Sequence, residues 1–399
     1  MTNELKNVPE LRFPEFEGEW ENSKLGTVAN VYDGTHQTPK YTSEGIKFLS
    51  VENIKTLNSN KFISKEAFEK EFKIRPEFGD VLMTRIGDVG TPNVVETNEY
   101  LAYYVSLALL KPKKLNSYFL ESLIRSQSVQ NELWRKTLHI AFPKKINKNE
   151  IAKVEINYPE QQEQQKIGEF FSKLDQQIEL EEQKLEKLEE QKKGYMQKLF
   201  SQELRFKDDS GCDYPNWKYN YLGNYMISHD EKTTENNQYP VLTSSREGLF
   251  LQKDYFTRDV ASKDNTGYNV VPYGYFTYRH MSDDLVFKFN INYIVQKGIV
   301  STLYPVFKTT SDLDNYFLKE ILNNGNEFKK YALMQKQGGS RTYMYFSKLK
   351  QLKLHIPVLK EQEKISVFLK KLDSLIEKQS SKVELLKQRK KGFLQKMFV

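Results

Sequence analysis

The chain has 399 residues, 38% hydrophobic and 28% charged, with 25 Phe, 24 Tyr and 3 Trp. That length suits two ordinary domains with real cores, and no apolar run approaches the ~20 residues of a bilayer-spanning helix. A single cysteine, Cys212, excludes an internal disulfide and, among five scattered histidines, leaves no paired ligand spacing for structural zinc; the net charge of +7 fits a nucleic-acid partner and many ordinary proteins alike.

The first residues, MTNELKNVPELRF, lack an apolar secretory core, so a cytoplasmic location is expected. Leu11-Arg12-Phe13, Trp20 and Leu25-Gly26 open the first half. Alternating stretches then predict strands at 46–51, 80–85 and 104–110, followed by a helix at 117–126. Pro159 begins a long amphipathic segment, EQQEQQKIGEFFSKLDQQIELEEQ, that ends in KKGYMQKLF. Leu204-Arg205-Phe206, Trp217 and Leu222-Gly223 repeat the opening. Strands at 239–243, 273–279 and 299–306 and a helix at 313–323 follow. From Pro357 the second long segment, VLKEQEKISVFLKKLDSLIEKQSS ending KKGFLQKMF, matches the first at a constant offset of 198 without a gap. The pattern predicts α+β domains with twisted β-sheets, each followed by a long helix.

Both helices carry a seam with alternating steps of 4 and 3, the spacing that lines one face of a supercoiled helix. The first seam is Ile167, Phe171, Leu174, Ile178, Glu181, Leu185, Leu188, Lys192, Tyr195 and Leu199. The second is Ile365, Leu369, Leu372, Ile376, Gln379, Val383, Leu386, Lys390, Phe393 and Met397, with polar interruptions at the same two places. About 36 residues at 1.5 Å each give roughly 54 Å, longer than a domain of this size is wide. Each helix therefore needs a partner beyond its own domain. Residues 160–200 carry 7 basic against 10 acidic side chains, net −3, and 358–399 carry 11 against 5, net +6. That complementarity favours an antiparallel coiled coil between the two.

Common catalytic signatures are absent from the sequence. It has no Gly-Lys pair to end a P-loop, no strand-turn-helix G-x-G-x-x-G and no G-x-S-x-G elbow. It also lacks the Asn-Pro dipeptide of amino-methyltransferase loops and any Pro-Asp pair of the metal-nuclease kind. Glu71-Phe72-Lys73 is a stray fragment in a highly charged chain, and the histidines show no partner spacing for acid–base work. A non-catalytic chain without a cofactor or metal of its own is the expectation.

Turn-like segments instead mix basic, amide, hydroxyl and aromatic residues suited to phosphate and base-edge contacts. In the first half the DNA-contact candidates are His36, Gln37, Lys40, Thr84, Arg85, Lys144 and Lys145. In the second they are Ser244, Ser245, Arg246, Tyr278, Arg279, Lys336, Gln337, Ser340, Arg341 and Tyr343. Arg85 and Arg279 each end a predicted strand, and 139–145 aligns with 337–343 at the offset of the helices. For any one side chain an ordinary solvated loop position is as good a reading; the set carries the case.

These segments resemble the specificity subunits of type I restriction-modification systems over essentially the whole chain. The resemblance rests on Trp20 with Leu25-Gly26, DGTHQTPKY at 33–41, FLSVENI at 48–54, GDVLMTRIGDVG at 79–90, and Pro-x(3)-Glu-Gln at Pro159 and Pro357. The first helix has Glu163-Gln164-Gln165 where the second has Glu361-Gln362-Glu363, and the GDVLMTRIG cue is blurred to YGYFTYR at 273–279. The resemblance implies target-recognition domains at 1–158 and 202–356 and spacer helices at 159–201 and 357–399. It implies one half-site of a bipartite, asymmetric double-stranded DNA target per domain, and a helix pair that measures the unspecified bases between them. Two methylation subunits would dock on the chain and restriction subunits outside them, with S-adenosylmethionine, ATP and Mg²⁺ held by those partners. A coiled-coil adaptor with two protein-binding domains is the alternative, and it differs in predicting no salt-dependent DNA affinity.

Overall fold

The computed structural model describes residues 7–37, 39–256, 264–336 and 340–399. Contacts divide the chain into two units, Met1–Gln183 with Gln379–Val399, and Lys184–Lys378. The division cuts across both long helices, so neither helix belongs to one unit alone.

In the first unit a four-stranded antiparallel sheet runs in the order Ala29–Asp33, Leu107–Pro112, Val81–Ile86, Asp88–Val94. A second, mixed sheet joins Tyr41–Thr42, Phe62–Ile63, Ile46–Leu49 and Leu101–Tyr103. Helices α1 (Ser117–Arg125) and α2 (Gln127–Lys136) follow, capped by the side chains of Asn116 and Ser126. The chain then closes on its own start, where Glu155–Tyr158 pairs antiparallel with Glu21–Lys24, and enters α3 (Gln161–Phe200).

The second unit repeats this plan. Its four-stranded antiparallel sheet has the order Met226–Ser228, Val306–Thr309, Phe276–Tyr278, Phe289–Ile291. Helices α4 (Asn315–Asn324) and α5 (Asn326–Met334) occupy the places of α1 and α2, and Lys353–Ile356 closes on Lys218–Tyr221 before α6 (Leu359–Lys396). At 40 and 38 residues, α3 and α6 are about 60 and 57 Å long at 1.5 Å per residue, slightly more than the seam alone indicates.

The repeated motifs turn out to be a shared frame of buried bonds. Arg12 donates twice to the fully buried Glu163 of α3, at 2.8 and 2.7 Å, and Arg205 does the same to Glu361 of α6, at 3.1 and 2.7 Å. Next in each helix, Gln164 accepts from the Asn116 amide and donates to the Pro159 carbonyl, while Gln362 accepts from Asp314 and donates to Pro357. These glutamines join the start of α3 to the cap of α1, and the start of α6 to the cap of α4. The Leu-Gly pairs have an equally direct cause. A Cβ on Gly26 would lie 2.8 Å from the Ala152 Cβ, and one on Gly223 would lie 2.9 Å from the Lys350 carbonyl oxygen, so only glycine permits the approach.

Within the first unit the end of α6 runs antiparallel to the beginning of α3. Phe170 packs on Phe393 with ring centroids 5.0 Å apart, Asp175 meets Lys390 at 2.7 Å, and Glu182 meets Lys387 at 2.6 Å. Within the second unit the end of α3 opposes the beginning of α6 through Lys192 and Asp373 at 2.6 Å and Tyr195 on Phe368 at 5.1 Å. The polar seam interruptions are therefore partnered: Gln379 donates to Glu181, Lys390 holds Asp175, and Lys192 holds Asp373 and Glu320. Acidic α3 does meet basic α6 where Glu181 and Glu182 face Lys382 and Lys387. The opening of each seam does a second job, since Ile167 and Phe171 share a core with Trp20, Phe119, Met397 and Phe398, and Ile365 and Leu369 share one with Trp217, Phe317 and Leu199.

Candidate nucleic-acid interface

In the first unit the sequence candidates separate into buried and exposed groups. Thr84 and Arg85 lie inside, at 0% and 5% exposure, in the strand Val81–Ile86. Arg85 forms an ion pair with Asp33 and donates from Nε to the Ile146 carbonyl at 3.0 Å. The Thr84 hydroxyl donates to Asp88 and receives the Thr91 amide. Their expected place as direct contacts gives way to a bracing one. Arg85 ties the strand end before residues 34–40 to the segment that leaves residues 138–145.

Those two loops hold the exposed candidates. Gly34 lets the first loop lie on the 103–105 turn, since a Cβ there would fall 2.4 Å from the Tyr103 carbonyl oxygen. The Thr35 amide donates to that oxygen at 3.1 Å, and Val105 donates back to Thr35 at 2.9 Å. His36, Gln37 and Lys40 project into solvent. Across the site Lys144 and Lys145 are exposed, with the Lys144 ammonium 4.6 Å from the centre of the Trp134 ring and the His139 ring tilted 51° against the same indole at 4.1 Å. Glu71 accepts the Thr35 hydroxyl at 3.2 Å while Lys73 donates to the Glu69 carbonyl, so this acidic–basic fragment is split between separate structural bonds.

The second unit divides its candidates in the same way. Ser244 and Tyr278 are buried, at 8% and 0%. Ser244 accepts from Asn290, and Tyr278 donates to the Met344 carbonyl at 2.9 Å, with burial pushing its phenol well above the usual range. Both brace the loops beside them. Arg246, Arg279, Lys336, Ser340 and Arg341 are exposed, Tyr343 is 36% exposed and Ser245 is half-buried. Gln337 lies outside the described residues.

Pairing of Met281–Ser282 with Thr342–Tyr343 gathers most of this set. Adjacent carboxylates beyond that strand each hold one arginine: Asp283 accepts from Arg341 Nε and Asp284 from Arg246 Nη2, both at 2.8 Å. Beside them the rings of His280, Tyr345 and Tyr343 form a staircase, 5.1 Å and 26° apart for the first pair and 5.7 Å and 12° for the second. Oriented guanidinium groups next to exposed aromatic faces are chemistry suited to guanine edges and sugar–phosphate. The sequence reading missed Asp283, Asp284, Tyr345 and Trp134, and for the first two the only signal was a DD pair that begins three residues past His280.

Among the described residues no group of three or more His, Cys, Asp or Glu side chains could hold a metal ion, and no helix is long and apolar enough to cross a membrane. Two separately cored modules with braced, exposed basic–aromatic loops, built on antiparallel helix pairs, define a tandem recognition protein of the nucleic-acid-binding class.

The family comparison makes that class specific. The model of the type I restriction modification DNA specificity domain matches residues 17–190 and again 220–386. The chain belongs to this family and carries its DNA specificity domain twice. It is 24% identical over 97% of its length, and 94% of the relative's, to a putative type I restriction enzyme specificity subunit of Methanocaldococcus jannaschii. Its fold is similar to the crystal structure of a type I restriction-modification S subunit from M. genitalium, with a TM-score of 0.59, 14% identity and 98% and 99% of the two chains covered. A chain from a study of complex assembly and conformational transition in the type I system matches with a TM-score of 0.52, 15% identity and 94% and 96% coverage.

Proposed function

We propose that this chain is the sequence-reading subunit of a type I restriction-modification complex and that each specificity domain reads one half of a split, asymmetric DNA target. The observation that carries the reading is the contrast within the repeat. Equivalent bonds hold both units in the same frame, Arg12 with Glu163 and Arg205 with Glu361, while the aligned stretches 139–145 and 337–343 have no residue in common. A scaffold kept constant under varied loops suits two different half-sites.

Direct contacts fall to His36, Gln37, Lys40, Lys144 and Lys145 in the first unit and to Ser245, Arg246, Arg279, Lys336, Ser340, Arg341 and Tyr343 in the second. Thr84, Arg85, Ser244 and Tyr278 position them. The helices set the number of unspecified base pairs and offer the docking surface for two methylation subunits, with restriction subunits outside. Catalysis, S-adenosylmethionine, ATP and Mg²⁺ belong to those partners, and the complex works in the cytoplasm. The test is methylation mapping in cells carrying the chain with its methylation partner, against cells lacking this chain alone. Loss of methylation from one bipartite motif supports the reading. If no motif depends on the chain, the reading fails and an adaptor role takes its place.

A further inference from the structure

Residues 138–145 hold the two most solvent-exposed large apolar side chains among the described residues, Ile140 at 99% and Phe142 at 103% of full exposure. They sit at the tip of a braced loop. The Leu138 amide donates to the Lys145 carbonyl at 2.8 Å, and the Gly87 amide donates to the Lys144 carbonyl at 2.8 Å. Lys145 forms bridges with both Ile86 and Leu138, and the next residue, Ile146, is fully buried. The tip is thus fastened at its base to the end of the strand Val81–Ile86, beside the Arg85–Asp33 pair.

We infer that this tip is a wedge, in which Phe142, with Ile140 beside it, inserts between adjacent base pairs of the half-site read by the first unit. The inference rests on the DNA-reading function proposed above and adds a distortion step to it. Apolar side chains that enter a base stack work singly or in pairs, with cations beside them to hold the flanking phosphates. Here Lys144 and Lys145 follow Phe142 after Pro143 and are exposed. A protein partner is the weaker occupant, because a stable protein interface needs ~800 Å² on each side with an apolar centre. This tip offers two fully exposed apolar side chains, and even with the neighbouring Leu138 and Trp134, 42% and 57% exposed and the latter in contact with His139 and Lys144, the patch amounts to four residues against the ~20–30 a side of such an interface. Unstacking would also make binding depend on how easily the local step deforms, so the first half-site would discriminate at a position no polar side chain touches.

The experiment uses the full chain assembled with its methylation subunits and duplexes carrying the mapped target, with 2-aminopurine replacing each adenine in and beside the first half-site. Besides the methylated base, which the methylation subunit itself extrudes, binding should raise the fluorescence several-fold at one further step. Phe142→Ala should abolish the rise and weaken the target about tenfold, Phe142→Leu should keep most of both, and discrimination in the second half-site should stay unchanged. Tight binding with no rise beyond that at the methylated base overturns the wedge, as does a Phe142→Ala complex that keeps the rise at the further step. A variant that binds DNA normally but no longer assembles with the methylation subunits reassigns the tip to protein docking. If the wild-type complex shows no sequence preference at all, the specificity reading itself fails and the wedge falls with it.

Discussion

Replacing Arg85 separates bracing from base reading. Arg85 is 5% exposed, pairs with Asp33, and supplies its Nε hydrogen to the Ile146 carbonyl. Arg85→Ala leaves a carboxylate without its cation and a carbonyl without its donor. Breaking a fully buried pair costs about 3–5 kcal/mol. The Asp33 side chain is 20% exposed and recovers some hydration, so about 3 kcal/mol is the expected loss, carbonyl included. The unit it belongs to has 204 residues, for which each kcal/mol moves the unfolding midpoint by about 2–4 °C. The transition of the first unit should therefore fall by roughly 6–12 °C. Because Arg85 anchors both exposed loops, affinity for the first half-site should drop across all its bases together. Calorimetry with binding to single-base variants of the target reads both effects. An unchanged midpoint, with 1–3 kcal/mol lost at one base pair alone, would refute the bracing role and return Arg85 to the DNA surface.

Further perturbations address other parts of the frame and the loops. Arg12→Ala and Arg205→Ala each leave a fully buried glutamate without its cation, although Glu361 keeps the Trp217 indole N–H, and should cost about 3 kcal/mol; denaturant titration checks this, and losses below 1 kcal/mol would make the clamps dispensable. Lys144→Ala with Lys145→Ala should lower the salt slope of DNA binding by about 2, one per lost phosphate, whereas an unchanged slope would place both lysines off the duplex. Exchanging charges between Asp175 and Lys390, which are partly exposed, should restore the ~0.5–1 kcal/mol that either single reversal removes, as a double-mutant cycle on thermal stability would show. Burial holds the Glu121 carboxyl above its ordinary value of 4.5 although Arg125 opposes the shift. The folded state therefore keeps a proton that the unfolded chain releases, so stability falls as pH rises from about 4.5 through the raised value. Glu121→Gln should flatten that limb in denaturant titrations from pH 4 to 7, and an unaltered limb would show that Glu121 does not cause it.

What could be read from the sequence is what depends on residue identity repeated in the same order, at an offset of 198 in the helices and 193 at the two arginines. Arg12 with Glu163 and the Gln164 bonds reappear as Arg205 with Glu361 and Gln362 because the same buried groups need the same partners. Strand limits were less legible, since hydrophobic alternation does not mark a turn inside an apolar run. The stretch predicted at 104–110 breaks where Leu107 donates back to Tyr104, and 299–306 breaks where Tyr304 donates to Ser301, giving strands at Leu107–Pro112, Lys297–Val300 and Val306–Thr309. Helices α2 and α5 went unread, although Ser126 caps the first of them. The site was hardest because a strand-end arginine looks the same whether it meets a base or a carboxylate 52 residues away, as Arg85 meets Asp33.

That separation has a consequence for how specificity can change. The groups whose loss would be costly, Glu163, Gln164, Glu361 and Gln362, are at most 2% exposed and bond to helix caps, chain openings and the prolines before each long helix. Among the described residues, none of their side-chain hydrogen-bond partners lies in residues 34–40, 138–145, 244–248 or 340–345. Substitutions at the exposed positions of those loops, unlike changes at the buried Ser244, Thr342 and Met344, therefore leave the buried frame intact and typically shift stability by less than about 0.5 kcal/mol. The bracing residues Arg85 and Tyr278 mark the limit of that freedom, because each is buried and bonded to the base of a loop. New half-site preferences should accordingly arise from changes at Arg246, Arg341, Lys144 and their neighbours with Arg85 and Tyr278 retained. A selection for altered motifs that repeatedly replaced either bracing residue, while sparing the exposed ones, would contradict this division of roles.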